Sequence, residues 1–408
     1  MKFIVLGGSN CQVSLIKGLK KRGHEVVLCD YFSNPPGKEY ADVKEDVSTF
    51  DVDGIVETIN KHNVDGILTA GTDQPVYTGA LASEKTGLNF YIASGMAKKL
   101  TNKKLMKDIF TKHDIPTVAY RYIKRNYKEK DIEGLDFPVV IKPFDSQGQR
   151  GVLKIDSMKE LEELIDETFS FTEEDEILIE EFYENDEITV SGWVVDGKAH
   201  ILSITDRVTF DLHPHIGICT SHNFPSKHYD EHGKEIIRLT EALVKAFAIS
   251  HGPIYFQMLA GAKGVLVNET AARIGGAFED VYIKYLTGVD MHTLLLNDTL
   301  KKKNHLGKDN YVNETSEKLN VVLFFARPGK IVTMDGISKL IEERRIIDGA
   351  YNFKAGDELG EIKNATLRAG HFIVAGSNEA ELKKNIQYAF DNMRILDENG
   401  KNLLIKSV

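Results

Sequence analysis

Residues 252–276 read GPIYFQMLAGAKGVLVNETAARIGG, two apolar runs separated by a glycine turn, and this pattern predicts a β-hairpin. Gln257 lies late in the first run, whereas Glu269, Arg273 and the pair Gly275-Gly276 close the second run. Side-chain oxygens on both strands, followed by a cation and a glycine turn, are suited to a metal ion and a nucleotide phosphate. Because a lone glutamate at a strand end is usually a surface residue, this interpretation requires further phosphate-binding elements elsewhere in the chain.

The size and composition of the chain restrict the classes of function. Its 408 residues provide room for two or three domains, and the 42% hydrophobic content is ordinary for a globular protein. The formal net charge of −10 disfavours a nucleic-acid partner. Three cysteines without a CxxC pair favour a reducing compartment, and no apolar run suits a signal peptide or a membrane span. We therefore expect a cytoplasmic protein without a membrane partner.

Residues 1–98 alternate predicted strands and helices, beginning with KFIVLGG and continuing through HEVVLCD and DGILTAG. This rhythm predicts an α/β domain with a Rossmann-like parallel sheet. The turn at Gly7-Gly8 lacks the third glycine of a dinucleotide fingerprint, which weakens the alternative of an NAD-dependent oxidoreductase. Loops at the strand ends, including residues 71–74, are expected to line a substrate crevice.

Residues 99–305 change to an α+β pattern. Asn102 is placed to cap a helix that ends before Pro116, and from Pro138 onward short apolar runs alternate with turns. The second pattern predicts mainly antiparallel strands. We interpret the polar stretch 301–310 as a linker, and we expect residues 306–408 to form a small α+β unit that packs back on the core.

Two further segments carry residues suited to a nucleotide. Lys142 ends the apolar run PVVIK and precedes a loop at residues 144–151, where small residues bring backbone N–H groups close to a polyphosphate. The loop is not a Walker motif. An apolar strand then leads into an acidic exit at residues 180–183, with Glu187 just beyond, which is suited to an adenine edge and ribose hydroxyls.

The order of these elements resembles the ATP-grasp superfamily over roughly residues 1 to 300. The resemblance implies an ATP-grasp domain over residues 99–305 with a lid at about 117–184, and it implies ATP and Mg²⁺ as cofactors, with Mn²⁺ as an alternative ion. The resemblance also assigns roles to single residues. The phosphates are bound by Lys103 and Lys142 and covered by a flap with Ser146, Gln147, Gly148 and Gly151, and the adenine hinge consists of Glu180, Glu181, Phe182 and Tyr183. By the same resemblance, the ribose is bound by Glu187, the metal is bound by Gln257 and Glu269, and the transferred phosphate is steadied by Arg273.

The sequence departs from the usual ATP-grasp pattern at two positions. Most members carry glutamate where this chain has Gln257, although carbamoyl-phosphate synthase large subunits use glutamine in a similar context. The usual Glu-x-Asn-x-Arg motif has Ala271 in place of asparagine, as in carboxyaminoimidazole ribonucleotide synthase. Both changes leave the number of bound Mg²⁺ ions open.

The resemblance implies an ATP-dependent carboxylate–amine ligase that joins two small molecules, such as an amino acid or an amino sugar, through an acyl-phosphate. His215 is a candidate base for the attacking amine, and Arg207 and Arg327 are candidate clamps for a substrate carboxylate. A homodimer is also expected by resemblance. The alternatives are a purine-pathway carboxylase or formyltransferase and, in a different class, a non-catalytic nucleotide-binding protein.

Overall fold

The computed structural model describes residues 1–313 and 315–406. The N-terminal unit has four strands and three helices: β1 Lys2–Leu6, α1 Asn10–Lys21, β2 Glu25–Cys29, β3 Val43–Glu45, α2 Val52–His62, β4 Gly66–Leu68 and α3 Gln74–Thr86. The strands form a parallel sheet in the order β3-β2-β1-β4. Apolar side chains cover both of its faces, as a parallel sheet requires, so the predicted α/β domain is confirmed.

The central unit is α+β, as the change of pattern predicted. Its helices are α4 Ser94–Thr101, α5 Lys103–Lys112, α6 Met158–Phe169, α7 Tyr229–Ala246, α8 Glu279–Thr287 and α9 Met291–Thr299. Its strands are β5 Tyr120–Lys124, β6 Val139–Lys142, β7 Leu153–Ile155, β8 Glu176–Glu181, β9 Asn185–Val195, β10 Lys198–Leu212, β11 His215–Phe224, β12 Gly252–Gly261 and β13 Gly264–Ala271. The side chain of Asn102 accepts a hydrogen bond from the Leu105 N–H at 3.1 Å, which caps α5 as expected.

The antiparallel strands of the central unit fall into two parts. Strands β13-β12-β9-β10-β11 form the main sheet, and β7-β6-β8-β5 form a smaller sheet with its own apolar core under α6. A single residue pair, His215 with Leu153, joins the two ladders. The smaller sheet therefore has the position of a lid hinged at the edge of the main sheet.

The C-terminal unit shares the main sheet. Its elements are β14 Lys318–Phe324, β15 Gly329–Lys330, β16 Thr333–Asp335, α10 Ile337–Glu342, β17 Asp348–Tyr351, β18 Glu358–Leu359, β19 Gly370–Gly376, α11 Glu379–Asn392 and β20 Arg394–Leu396. Strand β14 pairs antiparallel with β11 on one side and with β19 on the other. The ring of Phe278, which precedes α8, stacks on the ring of His371 from β19 with centroids 3.4 Å apart.

The stretch 301–310, which we interpreted as a linker, is docked on the central unit. Asn304 is buried and donates to the Leu294 carbonyl at 2.9 Å, and the Ile201 N–H donates to the Asp309 carbonyl at 2.8 Å. The connection between the two units is therefore held in place by backbone hydrogen bonds. Within the ranges that the structure describes, no helix is long and apolar enough to cross a bilayer.

Continuous pairing from β12 to β19 predicts that the central and C-terminal units unfold together. Phe372 lies fully buried in the C-terminal core, so Phe372→Ala should lower the free energy of unfolding by about 3–5 kcal/mol. Trp193, the single tryptophan, is buried in β9 and reports on the central unit. In a urea titration of Phe372→Ala, the midpoint of the tryptophan fluorescence transition should shift together with the midpoint of the circular dichroism transition.

Val332→Ala is the control, because Val332 is 50% exposed and its truncation should change stability by about 0.5 kcal/mol or less. A tryptophan transition that stays at the wild-type urea concentration, while the circular dichroism transition of Phe372→Ala moves, would show that the two units unfold independently.

Candidate active site

A buried carboxylate held between two lysines lies at the junction of the lid and helix α5. Glu180 on β8 forms ion pairs with Lys142 at the end of β6 and with Lys107 on α5, the latter at 3.1 Å between Nζ and Oε2. All three side chains are at most 4% exposed. Burial raises the pKa of Glu180, but the two ammonium groups outweigh burial and lower this pKa to about 2. The glutamate is therefore ionised, and it keeps two cations in an apolar setting.

Lys107 was not identified from the sequence. The sequence feature that could have identified Lys107 is its spacing from Lys103, since residues four apart share one face of a helix. Burial lowers the pKa of Lys107, whereas at Lys142 the carboxylates of Glu180 and Glu269 outweigh burial and raise the pKa. Lys142 is thus a firmly charged ammonium group at the base of the lid.

The β12–β13 hairpin brings the two predicted metal ligands together. Gln257 and Glu269 are directly opposite in the antiparallel register. Lys103 lies 3.6 Å from Glu269 between Nζ and Oε1, and Lys142 donates to Asn268 Oδ1 at 3.2 Å. Burial raises the pKa of Glu269, but Lys103 and Lys142 outweigh it and lower the pKa. An ionised carboxylate and an amide oxygen on adjacent strands are ligands that suit Mg²⁺.

The predicted flap, residues 146–151, contacts three parts of the molecule. Lys103 Nζ donates to the carbonyl of Ser146 at 2.9 Å. The Asp73 N–H donates to Gln147 Oε1 at 3.3 Å, and the Ala365 N–H donates to the Gly148 carbonyl at 3.2 Å. Gly148 and Gly151 have φ of 68° and 71°, values that favour glycine. The flap therefore lies closed between the N-terminal and C-terminal units.

The predicted adenine hinge begins at Glu180 and continues to Tyr183. Phe182 packs under the Lys154 ammonium group, with Nζ 4.1 Å from the ring centroid. The Tyr183 hydroxyl donates to the Gly264 carbonyl at 3.1 Å and accepts from the Lys263 N–H at 2.8 Å, and Glu181 pairs with Lys263 at 2.6 Å. The hinge is thereby fixed to the turn of the β12–β13 hairpin.

Glu187, the predicted ribose ligand, forms an ion pair with Arg207 on the neighbouring strand β10. Arg207 is 7% exposed, and its Nη2 also donates to the Gly217 carbonyl at 3.1 Å. Arg207 was predicted as a clamp for a substrate carboxylate, and in this structure its charge is already balanced by Glu187.

Arg273 connects the hairpin to the N-terminal unit. Its guanidinium forms a two-point ion pair with Asp73 and lies over the Tyr255 ring, 4.7 Å from the centroid. Beside this pair, the Gly71 N–H donates to the Ile274 carbonyl at 3.0 Å, and a Cβ at Gly276 would stand 2.7 Å from the Gly71 oxygen. Glycine is therefore required for this close approach. The loop at residues 71–74 thus contacts the end of the hairpin, and its role in lining a substrate crevice stays a prediction.

A second unpredicted residue, Glu279, lies under the glycine turn. It is fully buried, its Oε2 accepts a hydrogen bond from the Ala277 N–H at 2.9 Å, and its Oε1 has no partner within the described ranges. Burial outweighs the attraction of Arg273 and raises the pKa of Glu279 to about 7. The sequence feature that could have identified Glu279 is its position shortly after the glycine pair Gly275-Gly276.

Two other predicted residues lie apart from this cluster. His215 occupies the junction between the main sheet and the lid, with Nε2 3.9 Å from Glu167 of α6. Arg327 is exposed on the C-terminal unit, where its N–H donates to the Leu403 carbonyl at 2.8 Å. The structure joins neither side chain to the lysines or to Arg273, so their catalytic and clamping roles stay predictions.

Two family models match the chain. Residues 135–280 match the ATP-grasp domain, and residues 321–396 match the L-amino acid ligase C-terminal domain 2. The first match contains Lys142, the flap, the adenine hinge and the β12–β13 hairpin. The second contains β14, β17 and β19, the strands that extend the main sheet.

Curated relatives match the chain over shorter lengths. The formate-dependent phosphoribosylglycinamide formyltransferase of Erythrobacter litoralis is 29% identical over 197 residues, 46% of this chain and 50% of that protein. The D-alanine–D-alanine ligase of Flavobacterium psychrophilum is 33% identical over 128 residues, 30% of this chain and 36% of that protein. The chain thus spans about half the length, or less, of the curated relatives that it matches.

Solved structures share the fold over nearly the whole chain. An L-amino acid ligase from Bacillus licheniformis has a TM-score of 0.81 at 18% identity, with 98% of this chain and 99% of that chain covered. A phosphoribosylglycinamide synthetase from Anaerococcus prevotii has a TM-score of 0.74 at 17% identity, with 97% and 99% covered. Residues 135–280 of the chain therefore match an ATP-grasp domain, and the solved structures share the fold that surrounds this domain.

Proposed function

We propose that this protein is an ATP-dependent carboxylate–amine ligase that joins two small molecules through an amide bond. The observation that carries the proposal is the convergence of Lys103 and Lys142 on Glu269, which lies opposite Gln257 on the hairpin. Two cations and two oxygen ligands at one point suit a metal-bound polyphosphate. ATP is converted to ADP and phosphate in the proposed reaction.

The residues present fit a magnesium nucleotide. Gln257 and Glu269 would hold Mg²⁺, or Mn²⁺ as an alternative ion, and the ion would neutralise charge on the phosphates. Lys103 and Lys142 would bind phosphate oxygens, and Ser146, Gln147, Gly148 and Gly151 would cover them. The hinge from Glu180 to Tyr183 would receive the adenine, with Glu187 near the ribose.

The chemistry proposed for this site depends on positioning and charge. The substrate carboxylate attacks the γ-phosphorus of ATP, and the acyl-phosphate that forms is attacked by the amine with loss of phosphate. Arg273, held in orientation by both oxygens of Asp73, supplies a fixed cation for the charge on the transferred group. His215 is proposed as the base on the basis of the family resemblance.

Amino acids are the proposed substrate class, with amino sugars as the second option. The match of residues 321–396 to the L-amino acid ligase C-terminal domain supports amino acids. A purine-pathway carboxylase or formyltransferase remains the second candidate function, favoured by the formyltransferase match and by Ala271 in the Glu269-x-Ala271-x-Arg273 motif. We further propose a cytoplasmic homodimer.

ADP release, measured with pairs of carboxylates and amines, separates the ligase from the purine-pathway candidates. Stabilisation by ATP without any turnover would indicate a nucleotide-binding protein.

Lys142→Met should abolish ADP formation, because it removes the ammonium group that faces both Glu180 and Glu269. Since Lys142 is buried in an ion pair, we also expect the variant to lose about 3–5 kcal/mol of stability. Coupled detection of ADP and a urea titration measure the two effects.

The double variant Lys142→Met/Glu180→Met separates these effects. Removing both charges should restore much of the lost stability, because no buried charge is left without its partner, while ADP formation stays absent. Recovery of ADP formation in the double variant would contradict a phosphate-binding role for Lys142.

Glu269→Gln should raise the Mg²⁺ concentration that gives half-maximal ADP release by at least about tenfold, because a neutral amide replaces the only anionic ligand predicted for the ion. The matched control is Glu241→Gln, an exposed residue of α7, which should titrate with Mg²⁺ like the wild-type protein. An unchanged Mg²⁺ titration in Glu269→Gln would remove Glu269 from the metal site.

A further inference from the structure

Arg368 is a cation in the active-site region for which the fold supplies no counter-ion. It follows the short turn Ala365–Leu367 of the C-terminal unit. Its buried Nε has no hydrogen-bond partner, and within residues 1–313 and 315–406 its guanidinium forms no ion pair. Arginine stays protonated in proteins, so it cannot relieve its charge by losing a proton. A buried N–H donor without a partner is costly unless a ligand supplies an acceptor for it.

The backbone around Arg368 is held between the other two units. The Arg368 carbonyl accepts from Asn352 Nδ2 at 2.9 Å, and Asn352 Oδ1 accepts from Asn10 Nδ2 of the N-terminal unit at 2.7 Å. Three residues earlier, the Ala365 N–H binds the Gly148 carbonyl of the flap. The backbone that carries Arg368 is therefore held between the flap and the N-terminal unit, and Arg368 does not belong to a free surface arm.

Groups of the N-terminal and central units lie close enough to act on the charge of the Arg368 side chain. They are Cys11 on α1, Arg207 on β10, Cys219 on β11 and Tyr255 on β12. Burial of Arg368 lowers its own pKa, and burial raises the pKa of Cys219 and of Tyr255, so both the thiol and the phenol are neutral near pH 7. None of them is an anion that balances Arg368.

The other arginines of the site already have carboxylate partners. Arg207 pairs with Glu187, and Arg273 pairs with Asp73. The lysines at the nucleotide end face Glu180 and Glu269. Among the described residues, Arg368 is thus a cation of this region that has no carboxylate partner. A guanidinium without a counter-ion complements a carboxylate, such as that of an α-amino acid.

We propose that Arg368 binds the carboxylate of an α-amino acid substrate and so determines substrate specificity. This proposal rests on the proposed ligase function, and it names a residue that does not belong to the nucleotide site. The carboxylate belongs either to the amino acid that is activated or to the one that supplies the amine. In both cases, a planar guanidinium binds the carboxylate through paired N–H donors.

Binding measurements test the assignment without requiring turnover. Wild type, Arg368→Gln, Arg368→Lys and the exposed control Arg394→Gln are melted with MgADP, each of the twenty common L-amino acids, and the α-amides of the same amino acids. We expect the wild type and Arg394→Gln to be stabilised by at least one amino acid but not by its amide. Arg368→Gln should bind that amino acid about 10- to 100-fold more weakly, with an unchanged MgADP response, and Arg368→Lys should lie between them.

Without ligand, Arg368→Gln should melt at or above the wild-type temperature, because it removes an unbalanced buried charge. A lower melting temperature would mean that Arg368 holds the fold together, and a lost MgADP response would place it on the nucleotide phosphates. Each of these two results would overturn the proposal. An unchanged amino-acid response in Arg368→Gln would also overturn it, and so would a wild-type protein that binds no amino acid.

ADP release then identifies which amino acid Arg368 binds and keeps the two proposals separate. The amino acid and its α-amide are each used as the amine substrate. If Arg368→Gln raises the KM of the amino acid but not the KM of the amide, Arg368 binds the amine-bearing substrate. If the variant instead raises the KM of the carboxylate substrate that is activated, Arg368 binds that substrate. If the wild type binds amino acids through Arg368 but releases no ADP with any pair, the ligase proposal fails and the binding site stands.

Discussion

Glu180, ionised and buried between Lys107 and Lys142, is the constraint on which the rest of the site depends. Its carboxylate acts against the effect of burial on both ammonium groups, and together with Glu269 it raises the pKa of Lys142. It also ties β6 and β8 of the lid to helix α5 outside it, which fixes the positions of both lysines. Removing one member leaves a charge without its partner, and stability and activity are therefore coupled at these residues.

The local elements of the site follow from the sequence, whereas the residues brought in from a distance do not. The hairpin with Gln257 and Glu269, the cap at Asn102 and the parallel sheet each have a pattern within a short stretch of chain. Asp73 reaches Arg273 from 200 positions away, and Arg368 comes from a third unit. No local spacing marks such residues, because tertiary packing alone decides which charges meet.

The C-terminal unit is part of the same structural framework as the nucleotide site. Pairing of β14 with β11 continues the main sheet, and His371 stacks on Phe278, whose φ of 62° is unusual for a bulky residue. The stack supports this backbone at the start of α8, directly after the glycine turn beneath Arg273. The C-terminal unit therefore contacts the site region both through a strand and through a ring stack.

The flap contacts at Gln147 and Gly148 have a consequence for the order of events during turnover. One flap hydrogen bond ends on the N-terminal loop at Asp73, and the next ends on the C-terminal turn at Ala365. In the proposed function, the flap leaves the phosphates only after both of these hydrogen bonds have broken. Nucleotide exchange then requires that the flap first separates from the N-terminal loop and from the C-terminal turn.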